Sequence, residues 1–440
     1  MIKVLVFILC IFANIAQAKL FGAQEFYLDN GLQVVVVPNH KAPVVKLMLW
    51  YKVGSIDEPM GKGGLAHLLE HLMFRGTKKV KGSKFNDIIN KHGGESNAFT
   101  SHDFTAYHEF MDISRLEVAL ALEADRMQNL DISDEAFSAE RKIVFQERKQ
   151  RVSNNPFARF GEVLEKTLWQ NNPYSEPITG TEEEINSLTK EDAISFYNTY
   201  YSPDNAVLVL AGDIDVKTAK KVVKKYFADI SPKKQNLPKI NFENVQNVSF
   251  VLTQQSEEIK QERYINKYII PSCFDNKEQT FALMLFSNYF GKTTNGYLQK
   301  NYVLTNKVLS AKAVYNGLRR GQGAFSITAI PNNDTSDIKE LMDTALSEAI
   351  NSFDEKALND EKQKILSSLV YLQDNPQEAA YIVGQFSALG FSISDIENYD
   401  KYIENIKLED VKSAVENMMN NSTNIRAFLK PLNPKGEADE

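Results

Sequence analysis

Cysteine is scarce in this chain: only Cys10 and Cys273 occur among 440 residues. Cys10 lies in an N-terminal apolar run. A chain that loses this run keeps Cys273 alone and can form no intrachain disulfide. At this length a hydrophobic core suffices without one. Positive charge is also in deficit, with 50 Lys and Arg against 57 Asp and Glu, a net charge of −7. That balance argues against nucleic-acid binding and against electrostatic attachment to anionic lipid. Beyond the N-terminus no stretch is apolar enough to span a membrane, which takes about 20 residues. No low-complexity tract or short repeat is present. Histidine is rare too, with six in the whole chain, so the spacing of those six carries information.

Residues 1–18 read as a secretory signal peptide. Lys3 supplies the positive start, Val4 to Phe12 the apolar segment, and Ala16-Gln17-Ala18 the small-residue cleavage site. An uncleaved anchor is the alternative. Asn14 and Gln17 interrupt the apolar run well short of a membrane span, so cleavage before Lys19 is favoured. Leu9 before Cys10 fits a lipoprotein site poorly. The expectation is an exported protein, periplasmic or secreted, with no stable membrane insertion after cleavage.

Two of the six histidines fall in His67-Leu68-Leu69-Glu70-His71. At i and i+4 they lie one turn apart on one helix face, with Cβ atoms roughly 6 Å apart, so both rings can reach one metal ion. Glu70 shares that face, where a carboxylate can take a proton from a metal-bound water. The segment Leu65 to Phe74 has good helix formers and no proline, follows Gly63-Gly64, and precedes Gly76 as a candidate C-cap. It is apolar nearly all round and should be buried. A buried helix with two histidines and a glutamate needs partners for all three, and a metal supplies them.

The rest of the chain reads as two α+β units. Strands are expected at Glu25 to Leu28, Leu32 to Val37, Val44 to Val53, paired within Ser96 to Phe110, and at Asn205 to Ala211. Helices are expected around Phe85 to Lys91, Ile113 to Leu130, Ser133 to Arg151 and Lys217 to Phe227. The polar stretch 231–245, with Pro232 and Pro238, reads as a linker. Beyond it, helices are expected within 279–290, 296–303, 334–354, 360–372 and 376–389. Strands are expected within 307–314, 324–329 and 425–429. The division is therefore 1–18, 19–230, 231–245, 246–435 and a tail at 436–440. The halves have similar lengths and patterns, each a mostly antiparallel sheet packed with helices.

A zinc hydrolase needs a third protein ligand and an open position. His92, His102 and His108 are candidates. So is Glu147: Glu140, Val144 and Glu147 lie on one face of the helix expected at Ser133 to Arg151. Surrounding Arg and Lys residues equally suit a solvated charged helix, and the residue pattern alone leaves the choice open.

The combination of His67-Leu68-Leu69-Glu70-His71 with Glu147, 75 residues beyond His71, resembles the pitrilysin (M16) family of zinc peptidases. That family includes the mitochondrial processing peptidase, insulin-degrading enzyme and short bacterial processing proteases. Gly63-Gly64-Leu65-Ala66, Phe74-Arg75-Gly76-Thr77, Asn97-Ala98-Phe99-Thr100, Glu140 to Val144 and Tyr200 to Asn205 also match. The resemblance covers the first half closely and the second more weakly. It implies one zinc per chain on His67, His71 and Glu147. A water bound there would have a pKa near ~7. The resemblance also implies Glu70 as general base, Glu140 as a supporting carboxylate, and Asn97 and Ala98 on an edge strand that pairs with an extended peptide substrate.

The second half departs from the family pattern. Self-sufficient members carry an Arg and, seven residues later, a Tyr that contact the substrate. Val303 and Ser310 stand at those positions. The resemblance then implies a heterodimer with a zinc-less homologous subunit that supplies the Arg/Tyr pair. Arg319-Arg320 could supply positive charge instead, or simply form a turn. The expected activity is a zinc metalloendopeptidase acting on peptides or unfolded segments. The alternatives are a catalytically silent structural subunit and a hydrolase of a non-peptide substrate.

Overall fold

A computed structural model describes residues 19–233, 237–242 and 247–432. The expected signal peptide, part of the linker and the tail lie outside the described residues. The described linker positions, 231–233 and 237–242, form neither helix nor strand.

The first half builds a six-stranded sheet from β1 (Gln24–Tyr27), β2 (Gln33–Pro38), β3 (Val44–Tyr51), β4 (Glu95–Thr100), β5 (Thr105–Asp112) and β6 (Ala206–Gly212), in the order β1-β2-β6-β3-β5-β4. Its helices are α1 (Leu65–Leu72), α2 (Lys84–Lys91), α3 (Leu116–Asn129), α4 (Asp134–Arg148), α5 (Pro156–Trp169), α6 (Glu182–Ser187), α7 (Lys190–Tyr200) and α8 (Val216–Phe227). The second half builds a five-stranded sheet from β7 (Ser249–Ser256), β8 (Arg263–Ile270), β9 (Val308–Asn316), β10 (Gly323–Pro331) and β11 (Asn424–Pro431), in the order β7-β11-β8-β10-β9. Its helices are α9 (Lys277–Ser287), α10 (Ile338–Ser352), α11 (Glu355–Asp374), α12 (Pro376–Leu389), α13 (Ile393–Glu397), α14 (Tyr399–Asn405) and α15 (Leu408–Asn421).

The two sheets have one topology. Without β1, the first reads β2-β6-β3-β5-β4 and the second β7-β11-β8-β10-β9. In each, the first and last strands of the half pair in parallel and every other pairing is antiparallel. The expected α+β class with two similar units holds.

Runs such as Val34 to Val37 and Ala206 to Ala211 are apolar without alternation because both sheet faces are covered. Val34, Val36, Leu47, Leu49, Leu208 and Leu210 face the layer that holds α1, α3 and α7. Val35, Val37, Met48, Trp50, Val207 and Val209 face α12, a helix of the other half. The exchange is mutual. Phe160, Leu164 and Leu168 of α5 pack on Ile425, Ala427 and Leu429 of the second sheet. The elements expected from sequence include neither β7, β8, α5, α7 nor α15.

Candidate metal centre

Helix α1 buries Leu65, Ala66, Leu68, Leu69 and Leu72 and leaves one polar stripe of His67, Glu70 and His71. Its start is pinned closely. Gly64 has φ +84°, and a Cβ there would meet the Thr179 carbonyl oxygen at 2.5 Å, so only glycine fits. The half-buried Glu58 carboxylate accepts from Gly64 N at 3.0 Å and from Ala66 N at 2.7 Å, closing the helix N-terminus. The helix ends at Leu72. Gly76, expected as the C-cap, lies farther on, at φ +126°, in a turn that pairs with Lys81.

Helix α4 packs across α1. Ser133 caps it, accepting from Ala136 N at 3.1 Å, and Phe137, Glu140 and Val144 are buried. One turn beyond Val144, the carboxylate of Glu147 enters the same space. Its Oε2 lies 3.7 Å from His67 Nε2 and 3.9 Å from His71 Nε2. One donor atom from each of the three residues lies within 4.8 Å of the others, and among the described residues no other group of three such side chains converges. His92, His102 and His108 do not join it. His92 bonds the Ile88 carbonyl at 2.8 Å, His108 faces Lys46 Nζ at 2.7 Å, and His102 faces Arg319 at 3.3 Å.

This arrangement fits a zinc ion. Tetrahedral zinc with ligands near 2.0–2.1 Å spaces its donors about 3.4 Å apart. The Glu147 Oε2 atom is shut from solvent with no hydrogen-bond partner, and a cation would satisfy it. Burial first, then the His71 charge and Arg151, holds His67 down at about 3. It is neutral at pH 7, as a ligand must be. Burial would also lower His71, but its hydrogen bond to Glu140 and the nearby Glu147 and Glu70 charges outweigh that and raise it.

Glu140 stands behind His71. Its Oε2 lies 3.1 Å from His71 Nδ1, and its Oε1 lies 2.5 Å from Arg75 Nη2. Burial pushes this carboxyl up, yet the His71 and Arg75 contacts win and hold it below the usual range. An ionised Glu140 takes the Nδ1 proton of His71 as a hydrogen bond and leaves the Nε2 lone pair facing Glu147. Glu70 lies beside the convergence point, its Oε2 2.5 Å from the Thr100 hydroxyl. Burial raises Glu70 despite Thr100 and His71. Thr100 and Arg75 were assigned no role from sequence. Thr100 could have been found by strand alternation, since it shares a β4 face with Ala98.

Strand β4 is one of the two edge strands of its sheet. Asn97 is exposed and Ala98 half-buried. Both line the cleft of about 700 Å³ that also holds His67, His71 and Glu147. Val303 is half-buried beside the second core, and Ser310 is exposed on β9. Arg319 and Arg320 are not free cations over this cleft. Arg320 forms a two-pronged ion pair with Asp57 at 2.8 and 3.1 Å, and Arg319 stacks on Tyr174 at 3.8 Å. The pair fastens the halves together.

Two family models match the chain. Insulinase (Peptidase family M16) matches residues 33–182, and Peptidase M16 inactive domain matches residues 187–365. The chain belongs to peptidase family M16. Zinc protease PqqE of Helicobacter pylori is 28% identical over 94% of both chains. An uncharacterized zinc protease of Rickettsia bellii is 26% identical over 93% of this chain and 98% of its own. Among solved structures, a protease from Helicobacter pylori superposes with a TM-score of 0.86 at 26% identity, covering 93% of this chain and 99% of that one. An M16 inactive domain from Pseudomonas fluorescens, 16% identical with a TM-score of 0.82, covers 94% of this chain and 99% of its own and shares the fold. M16 relatives carry the name zinc protease, so zinc is the metal of the family.

Proposed function

We propose that this M16 chain is an exported zinc metalloendopeptidase that cleaves peptides or unfolded polypeptide segments. One observation carries the reading: two imidazole nitrogens face a single buried carboxylate oxygen of Glu147, with Glu70 beside them. A zinc ion held by His67, His71 and Glu147 would act as a Lewis acid toward the scissile carbonyl and would acidify the attacking water. Glu70 takes the proton of that water and returns it to the leaving amine. Thr100 holds the Glu70 carboxylate in place for both transfers. Glu140 orients His71, and Arg75 orients Glu140. The substrate backbone adds to the open edge of β4 at Asn97 and Ala98. Strand addition requires an extended chain, so folded proteins are poor substrates.

The same reading includes a partner. Val303 and Ser310 supply no Arg/Tyr pair, and Arg319 and Arg320 are engaged between the halves. A zinc-less homologous subunit would supply that pair and close a chamber around the peptide. Units at 19–230 and 246–435, a linker at 231–245 and export through residues 1–18 belong to this proposal.

The second reading is a catalytically silent subunit, which the missing Arg/Tyr pair favours. Zinc content and turnover of a quenched peptide by the purified chain separate the two. Zinc with turnover, alone or after adding the partner, supports the peptidase. Zinc without turnover in either case supports the silent subunit.

A further inference from the structure

The edge strand β4 has two faces, and only one looks at the metal centre. Thr100 reaches Glu70, so the side chains of Ser96, Ala98 and Thr100 share the metal face. Phe99 points the other way. It meets Trp50 edge-on at 5.5 Å and Tyr381 at 5.7 Å. Tyr381 comes from α12 of the second half, yet it lies at the edge of the first sheet. Phe99 is half-buried and Tyr381 is 39% exposed. Together they leave a patch of ring surface beside the strand edge that the proposed substrate would join.

The placement of Tyr381 is built into α12. Gly384 lies one turn later on the same helix face. A Cβ at Gly384 would sit 2.0 Å from Trp50 Nε1. Glycine mid-helix is unfavourable. Here it lets α12 seat directly on the fully buried Trp50, and that contact sets Tyr381 against Phe99.

We propose that Phe99 and Tyr381 form an apolar ledge that selects a large aromatic or branched aliphatic side chain on the bound peptide, at the residue facing away from the metal centre. This rests on the peptidase reading above. Strand geometry gives the position. A peptide paired to β4 places the Cβ of the residue opposite Phe99 about 4.5–5.5 Å from that of Phe99, on the same face. Its two neighbours point into the cleft. The preference therefore falls on one residue parity: next to a cleft-facing residue, or two further along.

The test uses a series of extended peptides in which a single Phe is stepped through an Ala and Ser background. Binding is measured on E70Q, so it does not depend on turnover, and kcat/KM is measured on the parent chain. The expected result is a preference of about tenfold, or ~1.4 kcal/mol, at one position and its parity mates. Y381A should remove it by raising KM for the favoured peptide to that of the Ala peptide, with kcat unchanged. Y381F should keep it, because the ledge uses the ring and not the hydroxyl. Equal binding of every peptide, or a preference that survives Y381A, overturns the ledge while leaving cleavage by the parent chain intact. Failure of the parent chain to cleave any peptide, both alone and with its partner subunit added, overturns the peptidase reading, and binding to E70Q then still decides the ledge.

Discussion

The two halves of this molecule share a sheet and differ in chemistry. Strands β2 to β6 and β7 to β11 follow the same order and sense. In each half a helix follows the second of these strands: α1 in the first and α9 in the second. The third residue of α1 is His67, and the third of α9 is Gln279; Glu70 and His71 match Ala282 and Leu283. The crossing helices are α4 and α11. Seven residues past their N-caps stand Glu140 and Glu361, both buried. Fourteen past stand Glu147 and Ser368. All six histidines lie before residue 109. The scaffold survives intact without a metal centre, so the fold specifies where a site can be and a few side chains decide whether one exists.

The sharpest way to test this contrast is to remove the base. E70Q should lose at least ~10²–10⁴-fold in kcat while keeping its zinc, checked by quenched-peptide turnover and metal analysis together. Next comes the carboxylate shared by position. E140Q should weaken zinc binding about 10–100-fold, because His71 loses its orienting partner. E361Q, in the second half, should leave zinc affinity unchanged. Competition with a chelator measures both, and equal effects would break the comparison.

The exchanged helices give a third contrast. G384A on α12 drives a methyl group into Trp50 and should cost about 1–3 kcal/mol of stability. G161A on α5 meets nothing within 4 Å and should add about 0.5–1 kcal/mol. Denaturant midpoints of both variants test the pair.

A pH effect is expected at the seam as well. Burial and the Arg319 charge hold His102 down at about 3, against ~6.5 unfolded. Between those values the unfolded chain binds a proton that the folded chain refuses. Stability should therefore fall as pH drops from about 6.5 toward 3, by up to ~1.4 kcal/mol per pH unit from this group. H102Q should flatten that slope relative to the parent in urea titrations at stepped pH.

Much of this was legible in the sequence. The i, i+4 histidines and the leucines between them specify a buried helix with one polar stripe, and that is what α1 is. The apolar runs at β2 and β6 announce strands covered on both faces. Glu147 was ambiguous by pattern, since its neighbours on α4 are charged, and only the resemblance to the M16 family singled it out. The second sheet was read less well. β7 exposes Ser249, Val251, Thr253 and Gln255, and its other face carries Phe250 and Leu252 but then Gln254 and Ser256, a weak signal at an edge. Helix α5 carries Gly161 within its run and packs on a distant strand. The mutual crossing of α5 and α12 leaves no local mark, because it is set by contacts between segments far apart in the chain. Arg319 and Arg320 read as a turn or as free charge, and only the folded chain pairs them with Tyr174 and Asp57.

The central claim is that His67, His71 and Glu147 hold one zinc ion. Zinc K-edge absorption on the purified full chain tests it directly. The account predicts one zinc per chain in a light-atom shell with two imidazoles and no sulfur. Zinc ligated by sulfur, or a chain that binds none when supplied with the ion, would contradict it.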